Sequence, residues 1–168
     1  MLATGEDGGA IDQLAGTACG RTRSIAQMPP KSKFADLLGI DIATCTPEQV
    51  ICRMVVTADM SNRNGVLHGG ALMTLADTAA DTAAGTASFI NSPAGVSNVT
   101  VDAATSFIRA VRVGDTVTAR CAPLHAGPGT MVLRVTMTRS DGKTVGIATQ
   151  THLFLDWKGD SGDAGQGD

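Results

Sequence analysis

The sequence predicts an α+β domain in which an antiparallel sheet packs on one long helix. Three observations point there. Residues 69 to about 88 form an Ala-rich stretch that no Pro interrupts, with Gly85 near its end, as a long helix requires. Four strand-like runs joined by short turns follow it, and a helix beside a run of strands defines this class. The length of 168 residues, 43% of them apolar, suits one domain with a real core.

The elements follow in chain order. Residues 1 to about 30 are rich in Gly, Ala, Ser and Thr, lack a clear period and close at Pro29-Pro30. They read as a mobile leader, with a short helix near Ile11 to Leu14. The domain then runs over 31–157. Phe34 to Leu38 reads as a short helix and Val50 to Thr57 as a strand. After the long helix come strands at Val96 to Arg109, Thr116 to Cys121, Met131 to Met137 and Val145 to Leu155. In the second of these, Val117, Ala119 and Cys121 alternate with Thr116, Thr118 and Arg120, the period of a half-buried strand. In the third, Met131, Leu133, Val135 and Met137 share a face. In the fourth, Val145, Ile147, Thr149, Thr151, Leu153 and Leu155 do so. Ser140-Asp141-Gly142-Lys143 reads as a tight hairpin turn. The helix carries small residues on several faces, among them Ala71, Ala76, Ala79, Ala80, Ala83 and Ala84, which lets a sheet approach it closely. Residues 158–168, rich in Gly and Asp, read as a disordered tail.

Composition narrows the function. Aromatic residues are only 3% and Tyr is absent, so the core must be built from Ala, Val, Leu, Ile and Met. A net charge of -3 and a pI near 5.5 argue against non-specific nucleic-acid binding, which needs a basic stripe. Local basic residues can still hold one phosphorylated ligand. Cys19, Cys45, Cys52 and Cys121 form no C-x-x-C pair and read as reduced structural thiols. The start, MLATGEDGGAIDQLAG, lacks the basic-then-apolar order of a signal peptide. No run of about 18 apolar residues offers a membrane span. A soluble, cytoplasmic protein is expected, with no membrane partner and no cofactor. The three histidines lack ligand spacing, so no metal site is proposed. Gly127-Pro128-Gly129 lacks the Lys and Ser or Thr of a phosphate loop.

The segment Ser61 to Asp81, SNRNGVLHGGALMTLADTAAD, carries the chemistry. His68-Gly69-Gly70 sits where a loop becomes a helix. A helix start has unpaired amide donors and partial positive charge, and glycines there let a ligand approach the backbone. Such a place suits a developing oxyanion, as when a thioester carbonyl is attacked. Asp77 lies two turns further on, among Leu75, Ala76, Ala79 and Ala80. A carboxylate beside an oxyanion site is what hydrolysis needs, as base or as nucleophile. The residues alone equally allow Asp77 as a solvent-facing helical residue, His68 as a loop histidine bonded to backbone, and the glycine pair as a tight loop-to-helix join.

Asn62, Gly65, His68-Gly69-Gly70 and Leu75-Ala76-Asp77 together resemble the signature of the phenylacetate-pathway type of hotdog-fold acyl-CoA thioesterases, relatives of 4-hydroxybenzoyl-CoA thioesterase. The flanks resemble that family too: Phe34 to Ile40 matches its opening, Thr100-Val101-Asp102 and Phe107-Ile108-Arg109-Ala110 its third-strand pattern, and Gly114-Asp115 the turn that follows. The resemblance covers roughly residues 33 to 156. It implies a hotdog fold, a sheet wrapped around a central helix, and hydrolysis of an acyl-CoA to free acid and coenzyme A. It implies a homodimer as the minimal unit, two chains sharing two sites, with a homotetramer as the expected assembly. By matching position, Gly69 donates its amide to the thioester oxygen and Asp77 activates water or attacks directly. Asn62 holds the water or the carbonyl, His68 positions the thioester, and Thr100 supports the carboxylate. Gly70, Arg109 and Arg112 are the candidate substrate-binding residues, the two arginines for the phosphates of coenzyme A.

The sequence departs from the family in places. Asp81 lies one turn beyond Asp77, where relatives usually have an apolar or small residue; two carboxylates at that spacing raise each other's pKa if both are buried. Asn64 offers a second amide near Asn62. His125 and His152 have no pattern around them. Two other functions compete. A hotdog hydratase or dehydratase would pair an Asp and a His in a short run, yet the nearest acid before His68 is Asp59, nine residues back. A non-catalytic acyl-CoA-binding module would have no use for Asp77.

Overall fold

The computed structural model describes residues 32–91 and 96–156. The expected leader with its short helix, the expected tail, and Cys19 lie outside those residues. Helix α1 (Lys33–Leu37) opens the described chain, and its N-cap Ser32 accepts a hydrogen bond from the Ala35 amide at 3.1 Å, as a capping hydroxyl does. Strands β1 (Asp41–Cys45) and β2 (Val50–Val55) and a 3-10 turn at Ala58–Met60 follow. Then come the long helix α2 (Gly69–Asn91) and strands β3 (Val96–Phe107), β4 (Thr116–Ala126), β5 (Thr130–Arg139) and β6 (Thr144–Asp156). The six strands form one antiparallel sheet in the order β1-β2-β4-β5-β6-β3.

The sheet curves over α2 because the helix is lined with small residues. Leu72, Leu75, Ala76, Ala79, Ala80, Ala83 and Ala84 are buried against it. The sheet answers with Val50, Cys52 and Met54 on β2, Val117, Ala119 and Cys121 on β4, and Leu133, Val135 and Met137 on β5. The alternation expected in β4 and β5 is therefore the alternation observed. In this apolar layer burial pushes the Cys121 thiol up to about 12, which leaves it protonated and inert. The β5–β6 hairpin closes as its Asp-Gly pair requires, with Gly142 at φ 77 and the Gly142 amide bonded to the Arg139 carbonyl at 2.9 Å.

Two features differ from the sequence reading. β1 was not foreseen: it is a five-residue edge strand with a register shift and no clean alternation of burial. In β6 the period-2 reading holds, but the face turned to the helix is the other one. Ala148, Gln150 and His152 are buried there, whereas Leu155 is exposed. A register shift where β6 meets β5 also turns Val145 inward. The placement of Gln150 and His152 follows from what α2 presents to them.

β3 stands at the other edge of the sheet. It is long, and Val101 and Phe107 on it are more than half exposed, as is Phe34 on α1. Among the described residues, no helix is long and apolar enough to cross a membrane.

Candidate active site

The loop before α2 is tied down on three sides. The Leu67 amide bonds to the Val111 carbonyl at 2.9 Å, the His68 amide to the Met60 carbonyl at 2.8 Å, and Val66 bridges Arg112. Asn62 organises the turn between them. Its Oδ1 accepts from the Asn64 amide at 2.9 Å and the Val66 amide at 3.4 Å. With its oxygen so occupied, the Asn62 side chain keeps its NH2 as the group it can offer a ligand. Asn64, by contrast, is exposed.

The start of α2 distinguishes its two glycines. His68 Nδ1 accepts from the Gly70 amide at 2.9 Å, so His68 caps the helix with its ring. The His68 carbonyl takes the Ala71 amide at 3.0 Å and the Leu72 amide at 3.2 Å. Of the four amides that a helix start leaves without an intrahelical partner, only that of Gly69 has no hydrogen bond among the described residues. The Phe107 ring lies over it: a Cβ on Gly69 would stand 3.3 Å from two ring carbons.

Gly69 lines a cleft of about 330 Å³ together with Asn62, Leu67, Leu72, Phe107 and Arg109, among others. Its lining mixes apolar side chains with polar groups, among them Asn62, the Gly69 backbone and Arg109. At its rim the Arg109 guanidinium is held by the Thr144 carbonyl at 2.7 Å. Arg112 is exposed one strand-bridge away.

Asp77 is not among the residues lining that cleft. It stands with Met73 and Asp81 on the exposed stripe of α2. Eight residues of helix separate Gly69 from Asp77, about 12 Å along the axis. The protein around its carboxylate pushes the Asp77 pKa up by desolvation, and the charge of Asp81 adds to the rise. The side chain of Gln150 and the ring of His152 pull the other way. The mutual effect expected of two acids at this spacing is thus felt at Asp77. Asp81 accepts a hydrogen bond from Asn98 Nδ2 at 2.7 Å. Thr100, on exposed β3, is in register with His152.

Sequence reading missed Gln150, His152 and Asn98. No motif surrounds His152 in the sequence, and nothing there marks Gln150. Their signal was two polar residues at i and i+2 on one strand, a spacing that puts both on one face. What that face meets is a matter of tertiary structure.

Chemically, the arrangement offers an open helix-terminal amide, a neighbouring carboxamide donor, and a carboxylate whose proton affinity is raised. Those are the parts of acyl transfer to water. One helix, packed against an antiparallel sheet, carries these groups at its start and along one side.

Comparison with known proteins narrows the class. Residues 64–146 match the Thioesterase superfamily. The chain is 34% identical over 113 residues to the acyl-coenzyme A thioesterase PaaI of Escherichia coli K12, covering 67% of this chain and 76% of that one. It is 27% identical over 132 residues to human acyl-coenzyme A thioesterase 13, covering 77% and 91%. The solved structure of the E. coli PaaI protein from the phenylacetic acid degradation operon superposes with a TM-score of 0.67 at 31% identity, over 74% of this chain and 85% of that one. The chain belongs to the thioesterase superfamily, and its fold is the hotdog that the sequence resemblance implied.

Proposed function

We propose that the protein hydrolyses an acyl-coenzyme A thioester to the free acid and coenzyme A, with Asp77 as the catalytic carboxylate and the Gly69 amide as the oxyanion donor. The observation that carries this reading is the open Gly69 amide in a cleft shared with Asn62. The names of the relatives support the substrate class. In the reaction, the thioester oxygen takes the Gly69 N–H and the Asn62 NH2 as its charge develops. Asp77 removes a proton from the attacking water, or adds to the carbonyl carbon itself. Collapse then breaks the carbon–sulfur bond, and coenzyme A leaves as its thiol with the proton that water loses; where Asp77 has itself added, that water hydrolyses the resulting acyl–aspartyl anhydride to the free acid and restores Asp77. His68 holds the helix start in place and Thr100 supports the carboxylate. Gly70, Arg109 and Arg112 border the path of the substrate, the two cations meeting its phosphates.

The separation of Gly69 from Asp77 along α2 calls for a second chain. Reacting atoms must come within about 3 to 3.5 Å, and about 12 Å of helix rise keeps one chain's pair apart. A two-fold axis that sets the partner's Asp77 against this chain's Gly69 makes two equal sites. The exposed apolar side chains of edge strand β3 suit such a pairing. A homodimer is the minimal unit, and a homotetramer is our assignment for the full assembly. The thiols of Cys45, Cys52 and Cys121 suit a reducing, cytoplasmic setting.

The test is a free-thiol assay with purified protein over short, medium, long and aromatic acyl-CoAs. Enzymatic release of coenzyme A from at least one class is expected. Binding without release across the panel would overturn the proposal in favour of an acyl-CoA-binding module.

A further inference from the structure

Two polar side chains of β6 are sealed beneath the Asp77 stripe: Gln150 is 3% exposed and His152 0%. His152 Nε2 lies 3.1 Å from Gln150 Oε1, and His152 Nδ1 lies 3.4 Å from Asn98 Nδ2. Asn98 Nδ2 also reaches Asp81 Oδ1 at 2.7 Å, and Gln150 lies near enough to the Asp77 carboxylate to lower its pKa. Asp81, Asn98, His152 and Gln150 thus form one chain, anchored on a carboxylate at one end and carrying the Gln150 amide toward Asp77 at the other.

The carboxylate end sets the direction of every bond along the chain. An ionised carboxylate only accepts, so Asn98 presents its NH2 to Asp81, and the same NH2 then faces His152 Nδ1. That nitrogen must accept, so the ring proton sits on Nε2. Nε2–H donates to Gln150 Oε1, which leaves the Gln150 NH2 for Asp77. We propose that Gln150 and His152 are positioning residues for the Asp77 carboxylate, acting as a one-way hydrogen-bond relay anchored at Asn98 and Asp81. The inference rests on the reading of Asp77 as the catalytic carboxylate.

A leucine or valine at positions 150 and 152 would fill the same space between helix and sheet at no desolvation cost. Buried polar groups are retained where all are satisfied, and a satisfied network then specifies one geometry. Here the network fixes a side chain that otherwise stands on an exposed helix stripe. A proton on Nδ1 would set donor against donor at Asn98, so the relay works only with a neutral ring. Burial keeps it so, lowering the His152 pKa against the opposing pull of Asp81 and Asp77. Those two acids are the charged groups facing it from α2. Its ladder neighbours are Thr100 on β3 and Met131 on β5, both uncharged.

The first test needs no substitution in the relay. In 15N-labelled protein at pH 7, the His152 ring, assigned by elimination with His68→Gln and His125→Gln, should be the neutral Nε2–H tautomer. An Nδ1–H tautomer or an imidazolium would overturn the relay. The second test uses Gln150→Met, which keeps length and apolar packing and removes the donor. By 13C carboxyl titration, with Asp77→Asn for assignment, the Asp77 pKa should rise by about one unit, the scale of a hydrogen bond to a charged group. An unmoved Asp77 titration would overturn the proposal. In turnover, kcat should fall about tenfold or more at little change in KM, with the acid limb of the pH profile moved up by the same unit. The two NMR readouts need no substrate. A relay present in a protein that releases no coenzyme A would refute the thioesterase reading alone. An active enzyme with an Asp77-dependent limb that Gln150→Met leaves in place would refute the relay alone.

Discussion

Subunit exchange between two inactive variants separates a shared site from a site within one chain. Asp77→Ala removes the carboxylate and Asn62→Ala removes the carboxamide beside Gly69. Each variant alone should lose on the order of 100-fold or more, the usual effect of deleting a general base or an oxyanion donor. In one chain, Gly69 and Asp77 are about 12 Å apart along α2 and about 80° apart around it, and only Gly69 shares the cleft with Asn62. If the partner supplies Asp77, a heterodimer has one site with both residues intact and one with neither. Equal mixing makes about half of the dimers heterodimers, so about one quarter of all sites regain full machinery. The mixture should therefore recover about 25% of the wild-type rate. If both residues act within one chain, every site lacks one of them and the rate stays below about 1%. The assay is free-thiol release after dilution-driven exchange, with exchange verified by mass spectrometry on chains of different mass. Verified heterodimers without activity would refute the shared site.

Three further outcomes are expected. Gly69→Pro deletes the open amide at a position where Pro is tolerated and should lower kcat about 100-fold to 1000-fold. Gly69→Ala, which keeps the amide and only crowds the movable Phe107 ring, should cost far less; equal losses would contradict the amide's role. The acid limb of kcat/KM should lie above the ordinary Asp range near 3.9, because burial and then Asp81 raise the Asp77 pKa and the ionised form is the active one. Asp81→Asn removes the like charge, so the limb should move to lower pH; an upward shift would reverse the assigned sign. Leu75→Ala, at a fully buried position on the inner face of α2, should lower stability by about 2 to 5 kcal/mol in chemical denaturation, and a loss under about 1 kcal/mol would deny Leu75 its place in the core.

Much of this architecture is legible in the residues themselves. An Ala-rich stretch without Pro declares α2, and the alternation in β4 and β5 declares which side chains enter the core. Asp-Gly marks the β5–β6 turn. β1 is not legible, because a five-residue edge strand with a register shift carries too little period. The spacing of Asn62, Gly69 and Asp77 marks the candidate site through its resemblance to a family. What separates Gly69 from Gly70 is invisible in sequence, since it depends on the His68 ring turning back to take the Gly70 amide. The Gln150–His152 face of β6 is hidden for a different reason. Hydrophobic patterning assigns polar residues to solvent, and here both are buried instead.

If Asp77 is the carboxylate that drives thioester hydrolysis, Asp77→Asn should disarm the enzyme without unfolding it. The substitution keeps size and shape and removes the charge that activates water or attacks the carbonyl. With an acyl-CoA that the wild-type protein turns over, kcat should fall by about 100-fold to 10,000-fold, while circular dichroism and assembly stay as in the wild type. A folded Asp77→Asn protein that hydrolyses the same acyl-CoA at a near-normal rate would take the catalytic role away from Asp77.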